Sequence, residues 1–284
     1  MSARETVSAP RPFVKWAGGK KQLIATLDEN LPKTFGTYFE PFLGGGALLF
    51  HMLGMNYTHR CSISDLNSEL ILTYVTIRDR PDDLVHSLKN HEKGYQKDPK
   101  TYYYSVRDKD PQDPIERASR LLFLNRTCFN GLYRVNSSGK FNVPLGRYSN
   151  PNIVNESKIR SVSRVLRANS ISISCRDFGA VLDDAKEGDF VYFDPPYHPV
   201  SKTAKFTSYT ANDFTHEDLR RLYDLCQRLD SKGCMVLLSN SNSADVLELF
   251  SNGIWKINKI PAKRIINSDS SKRENHFELL IKNY

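Results

Sequence analysis

"TYFEPFLGGGALLF", Thr37 to Phe50, decides how this chain folds. Apolar and polar residues alternate through Phe42 as in a strand; Gly44, Gly45 and Gly46 then offer a tight turn, and an apolar helical run follows from Ala47. "CSISDLNSEL", Cys61 to Leu70, repeats the unit: a short strand ending in Asp65, then a helix that either Asn67 or Ser68 can cap. Two strand–turn–helix units in succession predict the start of a parallel α/β sheet.

Outward from there the pattern changes and then returns. From about Ser68 to Arg167 the chain is mostly charged helical segments such as "PIERASRLLFLNR", followed by "GLYRVNSSGKFNVPLGRY". In the latter, two alternating runs flank Ser137-Ser138-Gly139, and glycine takes the positive φ that a short hairpin turn requires. Strand signals resume at "ISISCRD" (Ile171 to Asp177), "FVYFD" (Phe190 to Asp194), "CMVLLSN" (Cys234 to Asn240), "IWKINKI" (Ile254 to Ile260) and "FELLIKN" (Phe277 to Asn283). Between the second and third of these, Thr215 and Asp218 form a capping-box signature ahead of Leu219, Leu222, Tyr223, Cys226 and Leu229 on one helix face; a further helix is expected after Ser243. An inserted helical and hairpin module thus splits one sheet. "HPVSKTAKFTSYTANDF" and "AKRIINSDSSKREN" read as mobile loops.

Composition narrows the class. The 284 residues are 39% hydrophobic and 25% charged, with no apolar run of the ~18 residues a membrane helix needs. The polar start "MSARETVSAPRP" has no apolar signal core, so the expected address is the cytoplasm. The five cysteines show no CxxC and are expected to be reduced and buried; the seven histidines show no HExxH, and no metal site is expected. The net charge of +8 is concentrated: Arg126 to Arg167 holds eight basic residues against the single acid Glu156, which is 8 − 1 = +7. An excess this local favours a polyanionic partner over a merely solvated face.

Chemistry gathers at the predicted strand ends. A glycine run between strand and helix lets a ligand approach backbone N–H groups, although tight packing of strand on helix asks for the same residues. Asp65, about twenty residues on, stands where nucleotide-binding folds place an acid for ribose hydroxyls. "WAGGKKQL", Trp16 to Leu23, fails the phosphate-loop pattern, because Lys21 stands where a Ser or Thr would hold magnesium; solvated lysines after a turn are its plain alternative. Asp177-Phe178 ends another strand, so Asp65, Asp177 and Asp194 share one sheet edge.

"VYFDPPYHP", Val191 to Pro199, ends a buried strand in a carboxylate locked by two prolines. Such backbone is stiff and donor-poor, so the Asp194 carboxylate and the Pro195 carbonyl can each accept one N–H of an aromatic amine and free its nitrogen lone pair. Tyr197 can stack on the base, and a methyl sulfonium is an electrophile that needs no metal.

At these residues the chain resembles the Dam-type, D12-class adenine-specific DNA methyltransferases of α motif order. The resemblance is carried by "FVKWAGGK" (Phe13 to Lys20), "FEPFLGGGAL" (Phe39 to Leu48), "SDLNSELI" (Ser64 to Ile71), "NGLYRVNSSGKFNVPLGRY" (Asn130 to Tyr148), "RDF" (Arg176 to Phe178), "DFVYFDPPY" (Asp189 to Tyr197), "FTSYTANDF" (Phe206 to Phe214) and "LLSNSNS" (Leu237 to Ser243). It implies an α/β fold: a seven-stranded Rossmann-like class I methyltransferase sheet formed by residues 1–68 and 168–284, with residues 69–167 as an inserted helical and β-hairpin target-recognition domain. It implies S-adenosylmethionine as methyl donor, no metal, and N6 of a flipped-out adenine in double-stranded DNA as acceptor. Trp16, Lys20, Phe42 and Gly44 would line the cofactor, with Asp65 at its ribose, Asp177 and Phe178 at its adenine, and Asp194 at its reactive end. Asp194, Pro195, Pro196 and Tyr197 would take the target base, under a closing "FTSYTANDF" loop. DNA would be held by Lys15 and by Arg126, Asn130, Arg134, Asn136, Lys140 and Arg147, with Arg134 suited to guanine, Asn136 to a base or phosphate, and Arg147 to phosphate. The hairpin is closest to GATC-modifying members, some of which carry an aromatic where this chain has Val135. A cognate restriction system acting on the same site, without stable complex, is the further partner implied.

Three rivals stand beside this reading. Ribosomal RNA or a protein glutamine amide could be the acceptor; a DNA-binding protein could have lost catalysis; a nucleotide hydrolase is disfavoured by the failed phosphate loop.

Overall fold

The computed structural model describes residues 10–16, 18–57, 60–196, 214–261 and 277–284. In chain order the elements are α1 (Ile24–Glu29), β1 (Tyr38–Glu40), α2 (Ala47–Gly54), β2 (Arg60–Asp65), α3 (Ser68–Asp79), α4 (Pro81–Lys97), α5 (Pro99–Asp108), α6 (Pro114–Thr127), α7 (Glu156–Ala168), β3 (Ser170–Cys175), α8 (Val181–Asp184), β4 (Phe190–Phe193), α9 (His216–Ser231), β5 (Met235–Ser241), α10 (Ala244–Phe250), β6 (Lys256–Pro261) and β7 (Phe277–Lys282). The first strand stops at Glu40, two residues short of the expected Phe42, because Pro41 lacks the N–H that a ladder requires. Asn67, not Ser68, caps α3, its side chain accepting from the Leu70 N–H. The capping box of Thr215 and Asp218 is formed, and Ser243 caps α10.

Seven strands lie in the order β3-β2-β1-β4-β5-β7-β6. β1 to β5 are mutually parallel, and β7 alone is reversed, antiparallel to both β5 and β6. Alternation sorts the side chains onto two faces. Tyr38, Ile63, Phe190, Tyr192, Leu237 and Leu280 belong to one buried core, while Phe39, Val191, Phe193, Val236, Leu238 and Ile281 belong to the other. Each such apolar side chain, fully buried, contributes ~1.5–3 kcal/mol, so a one-residue slip of β4 would exchange two packed faces at once. Strand order reverses between β1 and β4, and in open α/β sheets the ligand crevice lies at the carboxyl ends of the strands at that switch point.

Residues 69–167 supply α4 to α6 and the hairpin, and their buried side chains join the first core without a break. Each of α4, α5 and α6 has proline in its first turn, where the missing N–H costs nothing; Asp98 and Asp113 cap α5 and α6. α3 packs on α6 and α7, and α7 returns the chain to β3. The expected hairpin is narrower than two regular strands. It consists of the single bridges Val135 to Phe141 and Cys128 to Leu145, closed by a turn in which Gly139 has φ +73°. Cys175 departs from the expectation of buried cysteines and is exposed at the end of β3, while Cys61, Cys128, Cys226 and Cys234 are buried. No helix among the described residues is long and apolar enough to cross a membrane. Both stretches read as mobile loops, apart from Phe214, lie outside the described residues.

Candidate active site and nucleic-acid interface

The turn after β1 is built on Asp65. Its two carboxylate oxygens accept the Gly44 and Asn67 N–H groups, each at 2.9 Å, and the Leu43 N–H reaches Ser64 O at 3.0 Å. Gly44 and Gly46 both take positive φ, +49° and +66°. Side chains are excluded there for a second reason: a Cβ on Gly44 would meet Trp16 Cδ1 at 2.9 Å, and one on Gly46 would meet the Tyr74 hydroxyl at 2.8 Å. Burial raises the Asp65 pKa against the lowering effect of its backbone donors. The acid expected at a ribose therefore also holds the shape of the loop, with one lone pair used on each oxygen.

At the end of β4, Asp194 is met by a cation from the N-terminal segment. Lys20 Nζ lies 2.8 Å from Asp194 Oδ1 and 3.7 Å from Glu278 Oε2 on β7, and donates to Gly18 O at 3.3 Å. Lys20 is buried, with 4% of its surface exposed. Lys20, expected along the cofactor, is engaged here by the carboxylate that ends β4. Burial pushes the Asp194 pKa up to about 6, with Lys20 opposing the rise and Glu278 adding to it. On β1, Glu40 accepts from the Tyr38 hydroxyl at 2.9 Å, and burial pushes its pKa up to about 8. Lys20 is thus ion-paired with Asp194 and Glu278, while Glu40 lies within electrostatic reach of Asp194 and Asp65. Glu278 escaped the sequence reading; its only signal was an acid inside the apolar strand "FELLIK".

Aromatic rings wall the edge. Phe42 stacks on Phe178 with centroids 5.1 Å apart and planes at 27°, and Phe214 closes the group edge-on at 6.0 Å from Phe42. Asp177 Oδ1 accepts the Gly179 N–H and an Arg221 guanidinium N–H, both at 2.9 Å, and the same guanidinium lies 4.8 Å over the Phe178 ring. Arg221, from α9, is a second contributor that spacing did not reveal. Trp16 stacks on Tyr133 at the hairpin stem. Asp194, Pro195 and Pro196 are described; Tyr197 lies outside the described residues.

The basic segment divides into tied and exposed cations. Arg126, expected as a DNA contact, is tied to backbone: its guanidinium donates to Asn152 O at 2.7 Å and Phe13 O at 3.2 Å, and burial lowers its pKa to about 10. Arg160 pairs with Asp82 and Glu156, and Arg167 donates to Asp79 O, so the local charge excess overstates the free charge. Asn136, expected at a base or phosphate, accepts the Ser138 and Lys140 N–H groups with its side-chain oxygen. Arg134 reaches across the hairpin to Asn142 Oδ1 at 2.7 Å and is exposed, as are Asn130, Lys140 and Arg147. Lys15 joins this face: Nζ lies 5.0 Å over the Tyr148 ring, while Asn125 clamps the Lys15 backbone and Gly131 O. No cluster of three metal-ligating side chains occurs among the described residues.

Comparison with known proteins accords with this geometry. The profile of the family described as D12 class N6 adenine-specific DNA methyltransferase matches residues 16–266. The chain is 44% identical over 280 residues to the type II methyltransferase M1.LlaDCHI of Lactococcus lactis subsp. cremoris, spanning 96% of this chain and 95% of that protein. It is 42% identical to the type II methyltransferase M.MjaIII of Methanocaldococcus jannaschii, over 96% and 99% of the two chains. Against the DNA adenine methylase of Escherichia coli K12 the identity is 33%, over 95% and 94%.

Proposed function

The chain belongs to the D12 class of N6 adenine-specific DNA methyltransferases, and on that premise we propose that it methylates N6 of an adenine flipped out of duplex DNA, within GATC, using S-adenosylmethionine. The observation that carries the reading is the half-buried Asp194 and buried Pro195 at the end of β4, beside the glycine turn that follows β1.

The donor set fits a cationic cofactor. Glu40, Asp65 and Asp194 all have pKa values raised by burial, so a positive charge bound beside them would offset the desolvation that disfavours their ionised forms. The glycine turn, with Trp16 over Gly44, leaves no Cβ in the way of a close approach. S-adenosylmethionine, when bound, supplies a methyl group on a positively charged sulfur that departs as a neutral thioether.

Asp65 and the Gly44 loop would hold the ribose, and Phe42, Asp177 and Phe178 the adenine of the cofactor. The Asp194 carboxylate and the Pro195 carbonyl would accept the two N–H bonds of the target amino group and turn its lone pair outward. Once N6 carries the methyl group it sheds one proton, for which the Asp194 carboxylate is the adjacent acceptor. Pro195 and Pro196 keep that acceptor pair rigid, and positioning of this kind can lower a barrier by about 7–11 kcal/mol. Extruding the base costs a few kcal/mol, offset by stacking on Tyr197 and by backbone contacts from Lys15, Lys140 and Arg147.

Residues 69–167 are proposed as the target-recognition module, with α3 and α7 forming its shared wall with the sheet. Arg134 would read guanine in the major groove. The likeness to type II methyltransferases supports a role in shielding DNA from a restriction enzyme of the same specificity, without a stable complex between the two. The deciding test is transfer of labelled methyl to two duplexes that differ only in containing GATC, with the product base identified by mass spectrometry. Label in adenine of the GATC duplex alone supports the whole reading; label in neither overturns the substrate.

A further inference from the structure

We propose that Glu278 is a positioning residue of the methyl-transfer centre: it is the alternative seat for the Lys20 ammonium, which lets Asp194 exchange its ion pair for the target amino group. This inference rests on the function proposed above, because it assigns Asp194 the role of accepting an N–H bond from the base.

Strand register brings the groups together. Phe193 pairs with Leu238, so Asp194 follows opposite Ser239, and Ser241 pairs with Glu278 across β5 and β7. Alternation therefore puts Asp194, Ser239, Ser241 and Glu278 on one sheet face. Lys20 enters over that face and already leans both ways, 2.8 Å from Asp194 Oδ1 and 3.7 Å from Glu278 Oε2. A shift of about 1 Å completes the second contact.

Two buried atoms make the arrangement unfinished. Glu278 Oε2 and Ser241 Oγ are shielded from solvent, and neither has a hydrogen-bond partner. A buried carboxylate oxygen without a donor is unfavourable, so its retention calls for a second arrangement in which the donor arrives. Asp194 supplies the reason for such a second arrangement. An oxygen that holds an ammonium at 2.8 Å is a weakened acceptor for an amine N–H, while an ammonium released into a buried site needs another anion within reach. Glu278 is that anion.

The groups facing Asp194 are Lys20 from the N-terminal segment, Glu40 on β1, Tyr192 on β4 and Glu278 on β7. Of these, Glu278 raises the Asp194 pKa and Lys20 lowers it. Replacing Glu278 by the neutral isostere therefore moves the Asp194 titration to lower pH and leaves Lys20 with one carboxylate only.

The experiment compares wild type and Glu278→Gln in single-turnover methyl transfer across pH, together with a carbon NMR titration of the Asp194 carboxyl in the full chain. In E278Q, kcat is expected to fall on the order of 100-fold, the scale of a ~1 Å misplacement. KM for DNA and for cofactor should hold, and both the acid limb of kcat and the carboxyl midpoint should move down. A residue that merely supports the fold would lower Tm and raise KM without moving that midpoint. Wild-type kcat and an unmoved midpoint in E278Q overturn the proposal. Glu278→Asp keeps the charge but withdraws its reach, so it should lose kcat and keep the midpoint; if E278Q does not fold, wild-type turnover in E278D overturns the proposal instead. Failure of the wild type to methylate any DNA would count against the proposed function, whereas the carboxyl midpoint would still report whether Glu278 and Asp194 share Lys20.

Discussion

Trp16 stacks on Tyr133 with ring centroids 5.1 Å apart and planes at 28°, while its indole edge covers Gly44. The stem of the exposed hairpin and the glycine turn at the sheet edge are thus joined through one side chain. Tyr133 adds a hydroxyl contact to Asn67, the cap of α3 that follows Asp65. Trp16→Ala removes a ring pair worth ~0.5–1.5 kcal/mol beyond its burial and opens space over Gly44. Affinity for S-adenosylhomocysteine, measured by titration calorimetry, should fall about tenfold, and DNA affinity should fall with it. Tyr133→Phe, which keeps the stack, should spare both. A loss confined to one ligand would show that the stack does not couple the two regions.

Glu40 allows a prediction in which stability and binding move in opposite directions. Its folded pKa, about 8, lies above the ordinary 4.5, so the folded state holds its proton more tightly than the unfolded chain. Stability from that protonated form is fully present below about pH 4.5 and is lost as pH rises through about 8. Glu40→Gln keeps an acceptor for the Tyr38 hydroxyl and removes the ionisation. Its Tm should exceed that of wild type at pH 8 to 9, and the gain should vanish near pH 4.5. Cofactor affinity should drop in the same variant only as pH rises through about 8, where wild-type Glu40 ionises and the variant cannot. A pH-independent Tm difference would contradict the assignment.

The fold was largely legible because its signals are local. Alternating runs such as "SISIS" and continuous apolar runs such as "FVYF" marked the strands, Thr215 with Asp218 marked α9, and the glycine turn marked the crossover from β1 to α2. The site was legible only in part, because partners far apart in the chain leave no local trace. Nothing near Lys20 announces Asp194, and nothing in "FELLIK" announces that Glu278 turns toward both. Arg126 shows the converse: a charge count sees a cation, whereas the backbone carbonyls that hold it become visible only once α6 and the segment near Asn152 are folded together.

Arg134 and Arg147 should separate specificity from affinity. Arg134 is exposed on the hairpin, braced by Asn142 Oδ1 at 2.7 Å, as a side chain that reads a base edge should be. Arg147 is exposed past the second bridge of the hairpin, where a phosphate contact is expected. Arg134→Ala should cost ~1–3 kcal/mol of discrimination between GATC and single-mismatch duplexes. Arg147→Ala should weaken binding to all duplexes alike and lower the salt dependence of binding by about one counterion. Competition binding at several salt concentrations distinguishes the two, and equal losses of discrimination would remove the division of labour.

Asp194→Ala should abolish turnover and leave a folded, DNA-binding protein. The usual objection to removing one half of a buried ion pair is that the other charge is stranded. Here the Lys20 ammonium has Glu278 Oε2 already at 3.7 Å, an acceptor otherwise unpartnered, so the variant has a way to keep that charge compensated. The proposed DNA contacts Lys15, Lys140 and Arg147 are untouched by the substitution, so fluorescence anisotropy should find DNA affinity within a few-fold of wild type. Single-turnover methyl transfer should fall by at least about 1,000-fold, since the variant loses the acceptor that aims the amino lone pair. Substantial residual transfer would mean that the Pro195 carbonyl alone positions the base, and the role of Asp194 would then be confined to holding Lys20.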